Sequence, residues 1–117
     1  AWEVAYDRLN ALQRAGYAER GAADAFYVQL SDIARQYIEA RLAIHAPERT
    51  TPEFLHEASS SGKLRAEHEA MLARFMRRAD RVKFARYAAT AEEMAESFQE
   101  IRRFVDETVP KPQDEPG

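Results

Sequence analysis

Apolar side chains recur along this chain at steps of three and four, the period of a helix face, and nowhere show the strict alternation of a half-buried strand. Trp2, Ala5, Leu9 and Leu12, with Val4 and Tyr6 beside them, predict a first helix from about Trp2 to Ala15, stopped by Gly16. From Ala22 to Leu42 the set Phe26, Tyr27, Leu30, Ile33, Ala34, Tyr37, Ile38 and Leu42 forms a broad stripe, with Asp32, Arg35, Gln36 and Glu39 assigned to the other side. A stripe this wide predicts a helix packed against two or more neighbours.

Ile44-His45-Ala46-Pro47 breaks the pattern, and Thr50-Thr51-Pro52-Glu53 restarts it as a capping box with Pro in the first turn. Phe54, Leu55 and Ala58 form the inward face of a short third helix, which the run Ser59-Ser60-Ser61-Gly62 is expected to end as an exposed loop. A fourth helix from about Lys63 carries Leu64, His68, Met71, Leu72, Phe75, Met76 and Ala79 on one face. Asp80 then caps a further turn bearing Val82, Phe84 and Ala85, with Lys83 its surface partner. Thr90-Ala91-Glu92-Glu93 is a second capping box, opening a fifth helix with Met94, Phe98, Ile101, Phe104, Val105 and Thr108 inward. Residues 110–117 lack an apolar anchor and are expected to be a disordered tail. The expectation is therefore an all-α protein: one domain over residues 1–109, a compact antiparallel bundle of four principal helices plus one short helix.

Composition narrows the function classes. With 117 residues the chain suits one core, and 45% apolar residues are enough to build it. Cys is absent, which excludes disulfides and thiolate chemistry, and four scattered Gly offer no phosphate-cradling loop. His45, His56 and His68 belong to no paired ligand motif, and His68 reads as a satisfied core or boundary histidine. Glu53-Phe54-Leu55-His56 matches half of a di-metal bundle motif, which needs two copies. The serine run lacks a nucleophile elbow, and Glu92, Glu93 and Glu96 suit a helix N-terminus. No catalytic, cofactor-binding or metal-binding residue is assigned, and the expectation is a protein that is not an enzyme.

Charge is unevenly distributed. Residues 1–62 carry a net −3, residues 63–87 a net +5, and residues 88–117 a net −5, within an overall −3. A basic fourth helix beside an acidic fifth is what neighbours with complementary rims require. The alternative use of the basic segment is a surface for an acidic protein, anionic lipid or nucleic acid. No apolar run approaches the roughly 20 residues of a membrane span. The first residues lack both an initiator Met and a signal-peptide pattern, as in a piece cut from a longer protein.

Four segments in order resemble a known family. They are Phe26-Tyr27-x-x-Leu30-Ser31-x-Ile33-x-x-x-Tyr37-Ile38-Glu39-x-Arg41, Thr50-Thr51-x-Glu53-Phe54-Leu55, Ala79-Asp80-x-Val82-Lys83-Phe84-Ala85 and Phe104-Val105-x-x-Thr108. Together, over roughly residues 24–108, they resemble the cytoplasmic C-terminal helical domain of BatD-like membrane proteins of bacterial aerotolerance-type operons. Leu42-Ala43-Ile44 departs from the aromatic-glycine-aliphatic turn of that family, so the exit from the second helix is expected to differ. The resemblance implies a transmembrane anchor upstream of Ala1, a place at the cytoplasmic face of the bacterial inner membrane, and MoxR-type AAA+ ATPases or von Willebrand factor A-domain proteins as partners. It supplies no catalytic residues, and the motif positions have a plain structural reading in which Thr50 and Glu53 cap a helix and Phe84 fills the core. The function expected is a non-enzymatic protein–protein interaction domain, with Arg77, Arg78, Arg81 and Arg86 as partner-binding residues. The alternative is a nucleic-acid-binding helical domain that uses the basic fourth helix.

Overall fold

A computed structural model of the chain describes residues 2–17, 19–44 and 50–109. They form five helices and, among the described residues, no strand: α1 (Trp2–Arg14), α2 (Ala23–Leu42), α3 (Thr51–Ser61), α4 (Ala66–Phe84) and α5 (Ala91–Thr108). The expected 110–117 tail and the break at His45-Ala46-Pro47 lie outside the described residues.

Both capping boxes form. The Thr50 and Thr90 side chains accept the backbone N–H of Glu53 and Glu93, whose carboxylates accept the threonine N–H at 3.0 and 2.9 Å. Each box satisfies two donors that a helix start leaves without intrahelical partners.

α2 lies at the centre and touches α1, α4 and α5, while α3 packs on α4. Its stripe is buried as the periodicity predicts: Tyr27, Leu30, Ala34 and Ile38 are wholly inaccessible. Tyr27 reaches Ser97 and Tyr37 reaches Thr108, so α2 and α5 run in the same sense. α4 runs against α5, since Arg78 meets Ser97 whereas His68 meets Glu107. From α3, Phe54 is fully enclosed and Ala58 nearly so.

Four expectations are corrected. Arg35, assigned to the polar side of the second helix, is only 9% exposed, because its guanidinium turns over the Phe54 ring and onto Thr51. The serine run is helical rather than a loop. Ser61 Oγ donates to the Ala58 carbonyl at 2.7 Å and accepts the Lys63 N–H at 3.2 Å, so side-chain bonding closes the helix end instead of melting it. α3 and α4 nonetheless remain separate, because Gly62 reverses the chain at φ 68°.

Asp80 caps nothing, since α4 continues unbroken from Ala66 to Phe84. Phe84 is 78% exposed and fills no core. It lies two residues beyond buried Val82, about 200° around the helix, and so faces outward.

The exit from α2 at Leu42-Ala43-Ile44 is a left-handed turn. Ala43 adopts φ 56°, ψ 37°, the left-handed conformation in which glycine usually ends a helix. Alanine bears the conformational cost of this turn, and Ile44 behind it is buried.

Candidate interaction cleft

Three helices that are distant in sequence frame a cavity of about 470 Å³. α2 contributes Val28, Ser31, Asp32 and Arg35; the start of α3 contributes Thr50, Thr51 and Pro52; the end of α4 contributes Asp80, Lys83 and Phe84. Its volume falls within the range of ligand-sized clefts.

The floor is polar and buried. Arg35 donates from Nη2 to Thr51 Oγ1 at 3.1 Å, and burial pulls its pKa down, opposed by the charge of Asp80. Thr51 is 6% exposed and Ser31 3%. Ser31 Oγ has no hydrogen-bond partner among the described residues, an uncommon condition for a buried hydroxyl. Asp32 is already engaged, 2.8 Å from Arg8 on α1.

Burial likewise holds the Lys83 amine below the usual lysine range, although Asp80, one turn earlier on α4, favours its charged form. The expected surface pairing of Asp80 with Lys83 is not made: no direct ion pair joins them, and the Lys83 ammonium instead lies 5.4 Å from the Phe84 ring. The rim is apolar. Val28 and Phe84, 50% and 78% exposed, both line this cavity.

The four arginines of the sequence reading separate. Arg78 turns inward: its Nη1 donates to Ser97 Oγ at 3.1 Å, and it lies 3.9 Å from Glu93 and 3.7 Å from Glu96. Arg77 projects into solvent. Arg81 stacks over the Tyr87 ring at 5.3 Å, and Arg86 is exposed at φ 56°, turning the chain so that Tyr87 N–H reaches the Arg81 carbonyl. Lys83 and Phe84 thus line the cleft from the end of α4, while Arg81, Arg86 and Tyr87 gather where the chain turns from α4 toward α5.

Elsewhere α4 and α5 exchange charge along their length. Arg74 meets Glu100 at 3.6 Å, and His68 Nε2 meets Glu107 at 2.8 Å. His68 is buried, its ring edge-on to Phe104, as a satisfied core histidine should be. Among the described residues no three His, Asp or Glu side chains are grouped as a metal ion would need, and no helix is long and apolar enough to cross a membrane.

The sequence did not single out Ser31, Arg35 and Thr51 as a unit. The segments around Ser31, Thr50-Thr51 and Asp80-x-Val82-Lys83-Phe84, far apart in the chain, converge on this cavity. No known protein family, curated protein or solved structure matches this chain.

Proposed function

We propose that this chain is a non-enzymatic protein-interaction domain, in which the four long helices act as an antiparallel bundle braced by α3. The cleft between α2, α3 and α4, with the neighbouring end of α4, is its docking surface. One observation carries the reading: two large exposed apolar side chains, Val28 and Phe84, flank the same cleft, and Phe84 stands in the α4 end that also carries Arg81 and Arg86. Aromatic and arginine side chains around an apolar centre are the usual composition of protein-binding hot spots.

The family resemblance supplies the partner class and the place. The partner is a MoxR-type AAA+ ATPase or a von Willebrand factor A-domain protein, met at the cytoplasmic face of a bacterial inner membrane, with the parent protein anchored upstream. The nucleic-acid alternative is less well supported. Arg74 and Arg78 of the basic helix are engaged by α5 carboxylates, which would also repel a phosphate backbone.

Affinity capture from bacterial lysate tests the reading, comparing wild type with Phe84→Asp and Arg81→Glu/Arg86→Glu. Loss of an ATPase or A-domain protein from both variants, at unchanged melting temperature, is expected. Identical protein lists, or salt-sensitive capture of duplex DNA instead, would overturn it.

A further inference from the structure

Three side chains around the cleft have hydrogen-bonding capacity that the fold leaves unused. Ser31 is 3% exposed, and its hydroxyl has no partner among the described residues. A serine inside a helix can bond back to the carbonyl one turn earlier, and Ser31 does not. Asp80 and Lys83, both half-buried, line the same cavity. Neither side chain makes a hydrogen bond or an ion pair among the described residues; Lys83 only approaches the Phe84 ring.

The other charged groups of the cleft are already held. Asp32 meets Arg8 at 2.8 Å, and the Arg35 guanidinium lies over the Phe54 ring and donates to Thr51. Lys83 and Asp80 remain, one cation and one anion a turn apart on α4, and their charges cancel. An occupant with a net charge of either sign is attracted by one of them and repelled by the other. A neutral group that both donates and accepts is favoured by both. Ser31, able to do either, offers a third contact.

Among neutral side chains, the carboxamide of Gln or Asn carries two N–H donors and a carbonyl with two lone pairs, on separate atoms. A hydroxyl serves all three groups only if they converge on one atom, and it would leave most of a cavity of about 470 Å³ unfilled. The exposed Val28 and Phe84 on the same cavity call for apolar surface next to the amide.

We propose that the cleft is a carboxamide seat. It receives one Gln or Asn side chain of an extended segment of the partner protein. The amide N–H donates to the Asp80 carboxylate, the carbonyl accepts from the Lys83 ammonium, and the Ser31 hydroxyl bonds the amide from the floor. A neighbouring apolar side chain of the segment lies on Val28 and Phe84. This rests on the docking surface proposed above and specifies what enters it. Two of the three bonds are charge-assisted, the stronger kind, and the third satisfies a hydroxyl that is costly to leave buried and unpaired.

The test uses the full 117-residue chain and fluorescence anisotropy of a labelled peptide, acetyl-Ser-Thr-Leu-Gln-Phe-Thr-Ser-amide. Three further peptides carry Glu, Lys or Leu in place of Gln, and N-acetylglutamine amide is titrated as a competitor. Wild type should prefer the Gln peptide to each of the others by about tenfold or more. Asp80→Asn leaves Lys83 unbalanced and should turn the preference toward Glu; Lys83→Gln should turn it toward Lys. Ser31→Ala should weaken binding of the Gln peptide severalfold. It should melt no lower than wild type, since it deletes an unpaired buried hydroxyl, so weaker binding cannot be assigned to unfolding.

If Phe84→Ser releases the peptides but wild type binds all four alike, the docking surface stands and the carboxamide seat falls. Tighter binding of the Glu or the Lys peptide by wild type, or binding of none, overturns the seat as well. Competition by N-acetylglutamine amide at the peptide's own affinity would show a small-molecule site that does not use the apolar rim, and so overturn it. Equal binding of every peptide by every variant, Phe84→Ser included, would remove seat and surface together.

Discussion

Tyr27 on α2 and Ser97 on α5 meet hydroxyl to hydroxyl at 2.8 Å in the interior, 70 positions apart in the chain. Arg78, a donor only, gives its hydrogen to Ser97 Oγ, and the Tyr27 hydroxyl donates to the Glu93 carbonyl at 3.2 Å. That leaves the Ser97 hydrogen for Tyr27 and completes a chain through three helices. The inward turn of Arg78 follows from it: one charge of the basic helix serves the interior.

Arg77 and Arg78 should therefore behave differently despite being neighbours. Arg78→Ala strips a donor from buried Ser97 and should cost about 1–3 kcal/mol. Arg77→Ala, on an exposed side chain, should stay within about 0.5 kcal/mol. Urea unfolding of the two variants checks this, and equal losses would contradict the placement of Arg78.

Ala43 offers the opposite sign. Its left-handed backbone favours glycine, so Ala43→Gly should raise stability by about 0.5–1 kcal/mol even after the entropy glycine gains in the unfolded chain. A lower urea midpoint for the glycine variant would show that the turn is not left-handed in solution.

Two phenylalanines provide a direct contrast in burial. Phe54→Ala should cost about 3–5 kcal/mol, because its ring is fully enclosed between α3 and its neighbours. Phe84→Ala, whose ring is mostly in water, should leave the melting temperature nearly unchanged. Calorimetric melts decide, and a large loss at Phe84 would place that ring in the core after all.

At acid pH the contact between His68 and Glu107 should be visible. The His68 hydrogen bond first, and Arg103 second, hold the Glu107 carboxyl below its ordinary value of 4.5. A depressed carboxyl contributes stability above its unfolded value, and that contribution is lost as pH falls through the folded value. Stability should thus decline below about pH 4.5, and Glu107→Gln should make the decline shallower. Urea midpoints at pH 6 and pH 3 measure it; parallel declines would remove Glu107 as a cause.

At alkaline pH the reporter is Tyr6. Burial, then its hydrogen bond to Asp106, pushes the phenol from 10.0 up to about 12. A raised phenol contributes stability below the unfolded value, and this is lost as pH rises through the folded one. Ultraviolet titration of the folded protein should show tyrosinate formation near pH 12 whose amplitude Tyr6→Phe lowers. An unchanged titration curve would break the assignment.

Local grammar was readable in the sequence because it acts over three or four residues. Both capping boxes, the α2 stripe and the inward face of α5 needed only spacing and residue type. Phe84 was misplaced by grouping it with Val82, although their separation puts them on opposite faces of a continuous helix. Asp80 was read as a cap in a stretch with neither Gly nor Pro to interrupt it. Arg35 was read as outward because charge normally faces water, whereas Phe54 and Thr51, brought in by another helix, give it a buried place. The cleft was illegible for the same reason: Ser31, Thr51 and Lys83 share no spacing, only a tertiary position.

Tyr6 of α1 and Asp106 of α5 bond across 100 positions of chain, while Tyr87, just past α4, holds Glu93 at the opposite end of α5. The early turns of the first helix and the last turns of the fifth are thus together at one pole. The Phe84 end of α4 is carried a helix length away, about 27 Å for 18 residues. The cleft spans the distance between the two: Asp32 on its α2 wall meets Arg8 of α1, while its Phe84 rim lies toward the far end.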